Sequence, residues 1–577
     1  MLNCQSIMFK KILVIGLLCL TFSFSVNAQN DVPKGWHLLD RTKDSFYGIS
    51  LNKAYDFLQQ KGKKSTPVIV AVLDSGVDTT QEDLKNILWY NAKEIPGNAF
   101  DDDKNGYIDD VNGWNFLGGK DGRNVKKSSG ENTRVYHKFK SKFSGKEVDS
   151  TLLNENEKYQ YNIWKKAASE MNVSSDEQMN VLYLDILSKS IKRHDKILRE
   201  EMGNEEYTLD KLESFEPKDK QGKDAKYGYV TCMKVIGIEP DETNITTITQ
   251  LDEYISGKKE AIGAKDTPPF DYRADIVKDD YNNINDKYYG NKDVMGPDPL
   301  HGTHVSGIIA AQRNNGIGMD GVADNVKIMM VRVVPDGDEY DKDIALGIFY
   351  AVDNGAKVIN MSFGKSFSPE KRWVDSAVRY AALKDVLIVH AAGNESADND
   401  EKDNYPNPYF ILSKGKASNF ITVGASSDPR ITGSIVADFS NYGKESVDVF
   451  APGVKIYSTL PGRNQYGNLR GTSMAAPIVT GLAAVIRSYY PALSAQQVKQ
   501  LIEKSVTVPD SSLTVIKPGT KNEKVRFSDL CVSGGIINAY GAVALAYTMK
   551  PALSTVLPQK QNSKLPKSSF KNLNPAQ

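Results

Sequence analysis

The run Val68-Ile69-Val70-Ala71-Val72-Leu73, closed by Asp74, decides the fold. It is apolar throughout and rich in β-branched residues, so it has strand length but no polar face. A strand covered on both sides of a parallel sheet requires that pattern. Runs of the same kind recur at 327–334, 357–361, 386–391 and 420–423. Amphipathic stretches at helical spacing lie among them, over 343–353, 371–383 and 474–490. Strands alternating with helices predict an α/β fold with a doubly wound, mainly parallel sheet. Ligands collect beyond the carboxyl ends of the strands in such sheets, and Asp74 stands at one of those ends.

Outward from this core, the 577 residues carry 72 Lys+Arg against 72 Asp+Glu, with 40% hydrophobic and 25% charged residues. This is a globular composition, and zero net charge excludes the basic footprint needed to neutralise phosphates. No nucleic-acid partner is expected. Lys10 and Lys11 precede an apolar run over 12–26 and a small-residue site at Val26-Asn27-Ala28. Residues 1–28 therefore read as a signal peptide, which implies a secreted, periplasmic or other extracytoplasmic protein. The run is shorter than the ~20 residues a bilayer needs, so no transmembrane anchor is expected in the mature chain. Leu18 before Cys19 argues against a lipid anchor. Only Cys232 and Cys531 remain after cleavage. That count excludes a disulfide framework and leaves either one bridge or two free thiols.

From 119 to 290 the character changes to Lys, Glu, Asn and Ser with helical apolar spacing. Trp164, Ala167, Ala168 and Met171 form one stripe, and Leu184, Leu187, Ile191 and Leu198 another. The spacing predicts a mainly helical insertion, with Ser175 to Gln178 as a capping box, whereas Lys120 to Gly145 reads more like a disordered linker. The resulting plan is a signal peptide (1–28), an N-terminal segment (29–66), a split catalytic unit (67–118 and 291–550), the insertion (119–290) and a flexible tail (551–577).

Chemistry concentrates in three short motifs. Gly471-Thr-Ser-Met-Ala-Ala-Pro477 is a small-residue turn opening an apolar helix. A serine there is accessible and lies near backbone amides that favour developing negative charge. Ser473 therefore suits a nucleophile, and a serine nucleophile needs a base. The turn His301-Gly-Thr-His-Val-Ser-Gly307 supplies histidine, and Asp74 at its strand end can orient it.

These motifs and their order, Asp, His, Ser, resemble the subtilisin-like serine proteases, the subtilases, over residues 67–118 and 291–545. The resemblance implies that Asp74 stabilises the imidazolium, that His301 is general base and then general acid, and that Ser473 forms the acyl-enzyme. His304 is then structural, and His390, in an apolar strand, is a core residue. Ala391-Ala-Gly-Asn394 matches the segment whose asparagine amide binds the oxyanion, which makes Asn394 the oxyanion residue. Asn360-Met-Ser-Phe-Gly364 resembles the segment on which an extended substrate adds as a strand and which walls the first specificity pocket. Ser362, Phe363 and Gly364 are thus the substrate-binding candidates, with polypeptides as partners and an apolar or broad preference.

Asp101-Asp-Asp-Lys-Asn-Gly-Tyr-Ile-Asp-Asp110 has most of an EF-hand loop, with oxygens at positions 1, 3 and 5, glycine at 6 and a carbonyl at 7. Structural Ca²⁺ is expected through Asp101, Asp103, Asn105, Tyr107 and Asp110, although Asn112 stands where glutamate closes such loops. A second loop, 314–321, resembles the family's calcium loop, with Asp83 as its partner carboxylate. Two features depart from the family. The insertion separates Asp74 from His301 and is expected to cap the cleft, and the segment before the first strand is too short for a large folded propeptide. A noncatalytic peptide-binding protein on this scaffold would predict a lost triad residue, and none is lost. A ligase or cyclase using the same acyl-enzyme is the other alternative.

Overall fold

The expected strand runs from Val68 to Asp74 and lies inside a seven-stranded sheet. The computed structural model describes residues 32–550 except 146–147, 172–173, 205, 237, 239–242, 413–414 and 511–512. The expected signal peptide and tail lie outside the described residues. In chain order the elements begin with α1 (Leu51–Gln60), β1 (Val68–Asp74) and β2 (Gly113–Asn115). A helical stretch follows: α2 (Glu131–Phe143), α3 (Glu155–Glu170), α4 (Ser175–Met202), α5 (Leu209–Ser214), α6 (Lys220–Ile236), α7 (Asn244–Gly263) and α8 (Tyr272–Ile276). Alternation then resumes with α9 (Leu300–Ala310), β3 (Val326–Arg332), α10 (Asp341–Asp353), β4 (Val358–Met361), α11 (Lys371–Leu383), β5 (Leu387–Ala391) and β6 (Phe420–Ser426). The chain continues through α12 (Pro429–Thr432), β7 (Val449–Pro452), β8 (Ile456–Leu460), β9 (Gln465–Leu469), α13 (Thr472–Tyr489) and α14 (Ala495–Lys504). The last elements are β10 (Thr514–Ile516), β11 (Lys524–Arg526) and α15 (Ala539–Thr548).

The sheet order is β2-β3-β1-β4-β5-β6-β7, and every neighbouring pair is parallel. Side chains alternate across it, as the strand period demands. Val68, Val70 and Val72 face α9 and α13 through Val305, Ile308, Ile478 and Leu482. Ala71 and Leu73 face α10 and α11 through Ile344, Ile348, Val374 and Val378. This is the doubly wound α/β fold that the apolar runs predict. From β1 the chain passes to β2 and β3 on one side and then crosses to β4 on the other. Asp74 thus ends at the switch point where a crevice opens.

The segment before β1 is part of the core that covers the sheet. Trp36, Ile49, Leu51, Ala54 and Leu58 are buried in the same cluster as Val70 and Val72. Trp36 Nε1 donates to the carbonyls of Val454 and Lys455, at 3.1 and 3.2 Å. The helical stretch leaves and re-enters the catalytic unit at one point, since Asn115 and Asn291 exchange backbone hydrogen bonds of 2.9 and 3.0 Å. A long excursion therefore leaves the sheet register intact.

Two readings of the insertion need correction. Lys120 to Gly145 is not a linker: α2 occupies 131–143 and buries Val135, Tyr136, Phe139 and Phe143. The cap of α4 is Ser174, whose hydroxyl accepts from Glu177 N at 3.1 Å, and not Ser175, which is already helical. Cys232 and Cys531 are both free and buried, in separate clusters. No described helix is long and apolar enough to cross a membrane.

Three histidines are sealed inside. His37 and His304 are pushed down to about 3 by burial, and His390, beside Phe363 and Phe420, to about 4. Both ring nitrogens of His37 lack a partner among the described residues.

Two outcomes follow. Trp36→Ala should lower stability by about 3–5 kcal/mol, through a cavity and two unpaired carbonyls. Urea unfolding measures this, and a loss below about 1 kcal/mol would mean that the N-terminal segment is a dispensable strap. The histidines add a pH dependence. Their folded pKa values lie below the unfolded value, so the unfolded chain binds protons first. Their contribution is complete above about pH 6.5 and is lost as pH falls toward the folded values, by about 2 kcal/mol per histidine between pH 7 and pH 5. His37→Phe should remove one such increment from the pH slope of the urea midpoint, and an unchanged slope would contradict the assignment.

Candidate active site

Asp74 reaches the end of β1 with its side chain only 1% exposed. Burying a carboxylate is costly unless it is paired. Its Oδ1 accepts from Ser75 N at 2.7 Å and from His301 Nδ1 at 2.7 Å. The partner histidine can come so close because the next residue has no side chain. A Cβ on Gly302 would stand 2.1 Å from the Gly76 carbonyl oxygen and 3.2 Å from Asp74 Cβ. The first turn of α9 therefore rests directly on the end of β1. Beside it, buried Arg332 donates to the carbonyls of Ser75 and Val125 (2.7 Å each) and to Asn115 Oδ1 (3.1 Å), bracing the loop after Asp74. Desolvation lowers its guanidinium pKa to about 10.

Ser473 is the second residue of α13, behind Gly471 at φ 146°. Pro477 has no N–H to donate to the carbonyl four residues earlier, which is that of Ser473. That carbonyl instead accepts from Ser362 Oγ at 2.9 Å, while Ser473 Oγ donates to the Ser362 carbonyl at 3.0 Å. The two serines are thus reciprocally bonded, which joins the start of α13 to the segment after β4. Asn360 braces the pair by donating to Ser362 Oγ at 2.9 Å and accepting from Thr480 at 2.8 Å.

Asn394 lies just past β5. Its Oδ1 accepts from Thr472 N at 2.8 Å and Thr472 Oγ1 at 3.0 Å, which fixes the amide with Nδ2 as the remaining donor. Asn441 holds this loop by accepting from Glu395 N and Ala397 N and donating to the Ala392 carbonyl. Asn404 donates to the carbonyls of Ala391 and Ala392 and packs under Gly364 so tightly that a Cβ there would meet its Oδ1 at 2.3 Å. Of the substrate-binding candidates, Phe363 is buried and Gly364 is exposed. His304 faces away from the crevice, with Nε2 on the Gly467 carbonyl at 3.2 Å.

The sequence reading missed Thr472, Arg332, Asn404 and Asn441. Thr472 lay inside a motif that was read for its serine alone. The other three are single polar residues whose partners are distant in sequence.

The acidic loop folds differently from the expected cage. Asp101 and Asp103 come together with Glu94, their ligand oxygens all within 4.8 Å of one another. Asp110 adjoins this group, since Asn91 Nδ2 donates to both Asp103 and Asp110, and its two oxygens accept from Asn91, Asn105 and Tyr350 at 2.9, 2.9 and 2.7 Å. Burial raises its pKa to about 6. Asn105 is committed to that bond through Nδ2, and its Oδ1 accepts from Tyr107 N at 2.8 Å. The Tyr107 ring packs against Trp114, Phe116 and Tyr350. In the second loop, Asp83 accepts from Asn315 Nδ2 at 2.5 Å.

Residues 65–534 match the Subtilase family. The chain is 40% identical over 223 residues to a thermophilic serine proteinase of Bacillus sp. (strain AK1), covering 38% of this chain and 50% of that protein. It is 41% identical over 213 residues to the major intracellular serine protease of Bacillus subtilis (strain 168), covering 36% and 61%. It is 40% identical over 211 residues to subtilisin DY of Bacillus licheniformis, covering 36% and 70%. The match thus spans half of the first relative and less than two thirds of the second. Among solved structures, a mutant of the protease domain of PatA aligns with TM-score 0.35 at 28% identity, covering 44% of this chain and 82% of that one. The family match runs across the Asp74–His301 pair, the Ser473 turn and the Asn394 loop, and the chain belongs to the Subtilase family.

Proposed function

We propose that the protein is an exported serine endopeptidase that hydrolyses polypeptides through an acyl-enzyme. One observation carries this reading: His301 Nδ1 is held 2.7 Å from buried Asp74, as a general base beside a serine nucleophile requires. In this mechanism the substrate strand adds to Ser362 and Gly364 through its backbone. Its N–H competes for the Ser362 carbonyl, which Ser473 Oγ occupies at 3.0 Å in the free protein. The displaced hydroxyl turns to His301 Nε2, which takes its proton as Oγ attacks the scissile carbonyl. Asp74 stabilises the imidazolium. Asn394 Nδ2 and the Ser473 amide at the helix N-terminus receive the oxyanion. His301 then protonates the leaving amine, and a water activated by the same imidazole releases the acyl group.

Calcium is part of the proposal as a structural ion. Glu94, Asp101 and Asp103 form a hard, all-oxygen donor set, and no Lys or Arg ion pair neutralises them among the described residues. Glu94 would replace Asp110 in the expected set. An ion there would relieve carboxylate repulsion and tie the loop that follows β1; no catalytic step requires it.

A fluorophosphonate probe tests the nucleophile. Wild type should label and Ser473→Ala should not, and chelator should slow labelling if calcium orders the site. A folded, unlabelled wild type would favour a peptide-binding scaffold. Added amine nucleophile, with product analysis, separates hydrolysis from acyl transfer. Asn394→Ala should reduce kcat by about 10²–10³, the range typical of losing one oxyanion donor in a subtilisin-type site, with KM little changed. A loss confined to KM would place Asn394 in ground-state binding instead.

A further inference from the structure

The helix α4 carries apolar residues on two opposite sides. One side holds the distal half of the insertion together: Val181, Ser188, Ile191, Asp195 and Leu198 are buried, and Ile191 and Leu198 share a cluster with Tyr207, Leu212, Tyr229 and Met233. The other side presents Met179, Leu182, Tyr183 and Ile186, which are 65, 52, 51 and 57% exposed. Each residue advances roughly 100° around a helix, so positions three, four and seven beyond Met179 stay on one face. Single exposed apolar side chains are ordinary, but four within two turns form a continuous patch, and such patches mark interaction surfaces.

The neighbouring helix leaves this face open. Lys258 and Lys259 of α7 bond Glu177 and Asp185 at 2.7 and 2.6 Å, and Ser188 Oγ donates to Asp252 at 2.9 Å. Glu177, Asp185 and Ser188 all lie on the side of α4 turned away from the patch, so α7 runs along its back. Charge is also graded along the helix. The first turn is acidic, with Asp176 and Glu177, and the second half is basic, with Lys189, Lys192, Arg193 and Lys196. Asp176, Arg193 and Lys196 are exposed.

We infer that this stripe is the contact face of a homodimer, in which α4 of one copy packs antiparallel on α4 of a second. A two-fold axis near residue 184 lays Leu182 of each copy against Ile186 of the other and brings the two Tyr183 side chains together on one side of the axis. It also sets each acidic start opposite the other copy's basic end, and the helix dipoles oppose. Parallel alignment would place like charge on like. One patch used twice in this way is complementary to itself, which a two-fold interface requires. An anionic lipid surface fits less well, because it would repel the acidic first turn beside the stripe. At roughly 200 Å² for a whole side chain, the stripe offers roughly 450 Å² per copy. That is the apolar centre of a small interface, so the dimer belongs in the micromolar range.

Sedimentation velocity on the processed chain, residues 29–577, tests this at about 1 to 100 µM. Wild type should pass from monomer to dimer with Kd on the order of 10 µM. Leu182→Glu and Ile186→Glu should each weaken association by about 50-fold or more at an unchanged melting temperature, because both side chains are exposed. Tyr183→Cys should crosslink copy to copy under copper-phenanthroline oxidation, whereas Tyr227→Cys, on α6 and 77% exposed, should not. The native Cys232 and Cys531 are buried and leave the readout clean. A wild type that stays monomeric throughout, a dimer indifferent to both glutamates, or equal crosslinking at 183 and 227 would each overturn the inference. Vesicles of phosphatidylcholine and phosphatidylglycerol form the last arm. Flotation of a monomer with them, lost in Leu182→Glu, would assign the stripe to a lipid surface and overturn the dimer.

Discussion

The buried carboxylate of Asp74 is the constraint around which the structure is arranged. An ion taken out of water loses several kcal/mol of solvation, so each element near it must supply compensation. The Ser75 amide and His301 supply it directly, at 2.7 Å each. Gly302 supplies it indirectly, because only a residue without a side chain lets α9 stand on the end of β1. Arg332 adds a buried positive charge at the register position opposite Asp74 on β3. Were Asp74 solvated, none of these close approaches would be needed, and His301 would lose its fixed orientation.

A second coupling comes from a missing donor. Proline early in a helix forfeits one backbone hydrogen bond, and at Pro477 the forfeited acceptor is the Ser473 carbonyl. Ser362 Oγ takes that place. The residue that frees the carbonyl therefore also ties the nucleophile's backbone to the segment on which substrate adds. In the proposed mechanism, substrate pairing and nucleophile position would share this carbonyl-hydroxyl exchange, which links them through two atoms of Ser362.

How much of this was legible depends on how local the signal was. The β1 run and the strands over 326–332, 358–361, 387–391 and 420–426 announced themselves, since burial on both faces leaves continuous apolar runs. The strands β2 and β7, three and four residues long, carry no comparable pattern. The helix α2 was read as linker because Lys, Arg and His interrupt it. Its apolar residues pack against α3 and against Phe367, the latter more than 220 residues away in sequence. Glu94 escaped notice because a closing carboxylate was sought after the acidic loop, and this one precedes it. The serine, histidine, aspartate and asparagine of the crevice were legible because each sits in a compact small-residue turn.

The insertion also changes what access to the crevice means. A cap that restricts substrates by bulk alone could be excised, and the catalytic unit would then open to larger chains. Here excision would expose Phe367, remove Glu131 from the buried ammonium of Lys365, and release the 338–339 segment from Arg134. The unit built on the sheet would lose part of its own packing together with the insertion. Each of those losses is destabilising in its own right, by an emptied apolar pocket or a weakened buried ion pair. A truncated chain that failed would therefore say nothing about access.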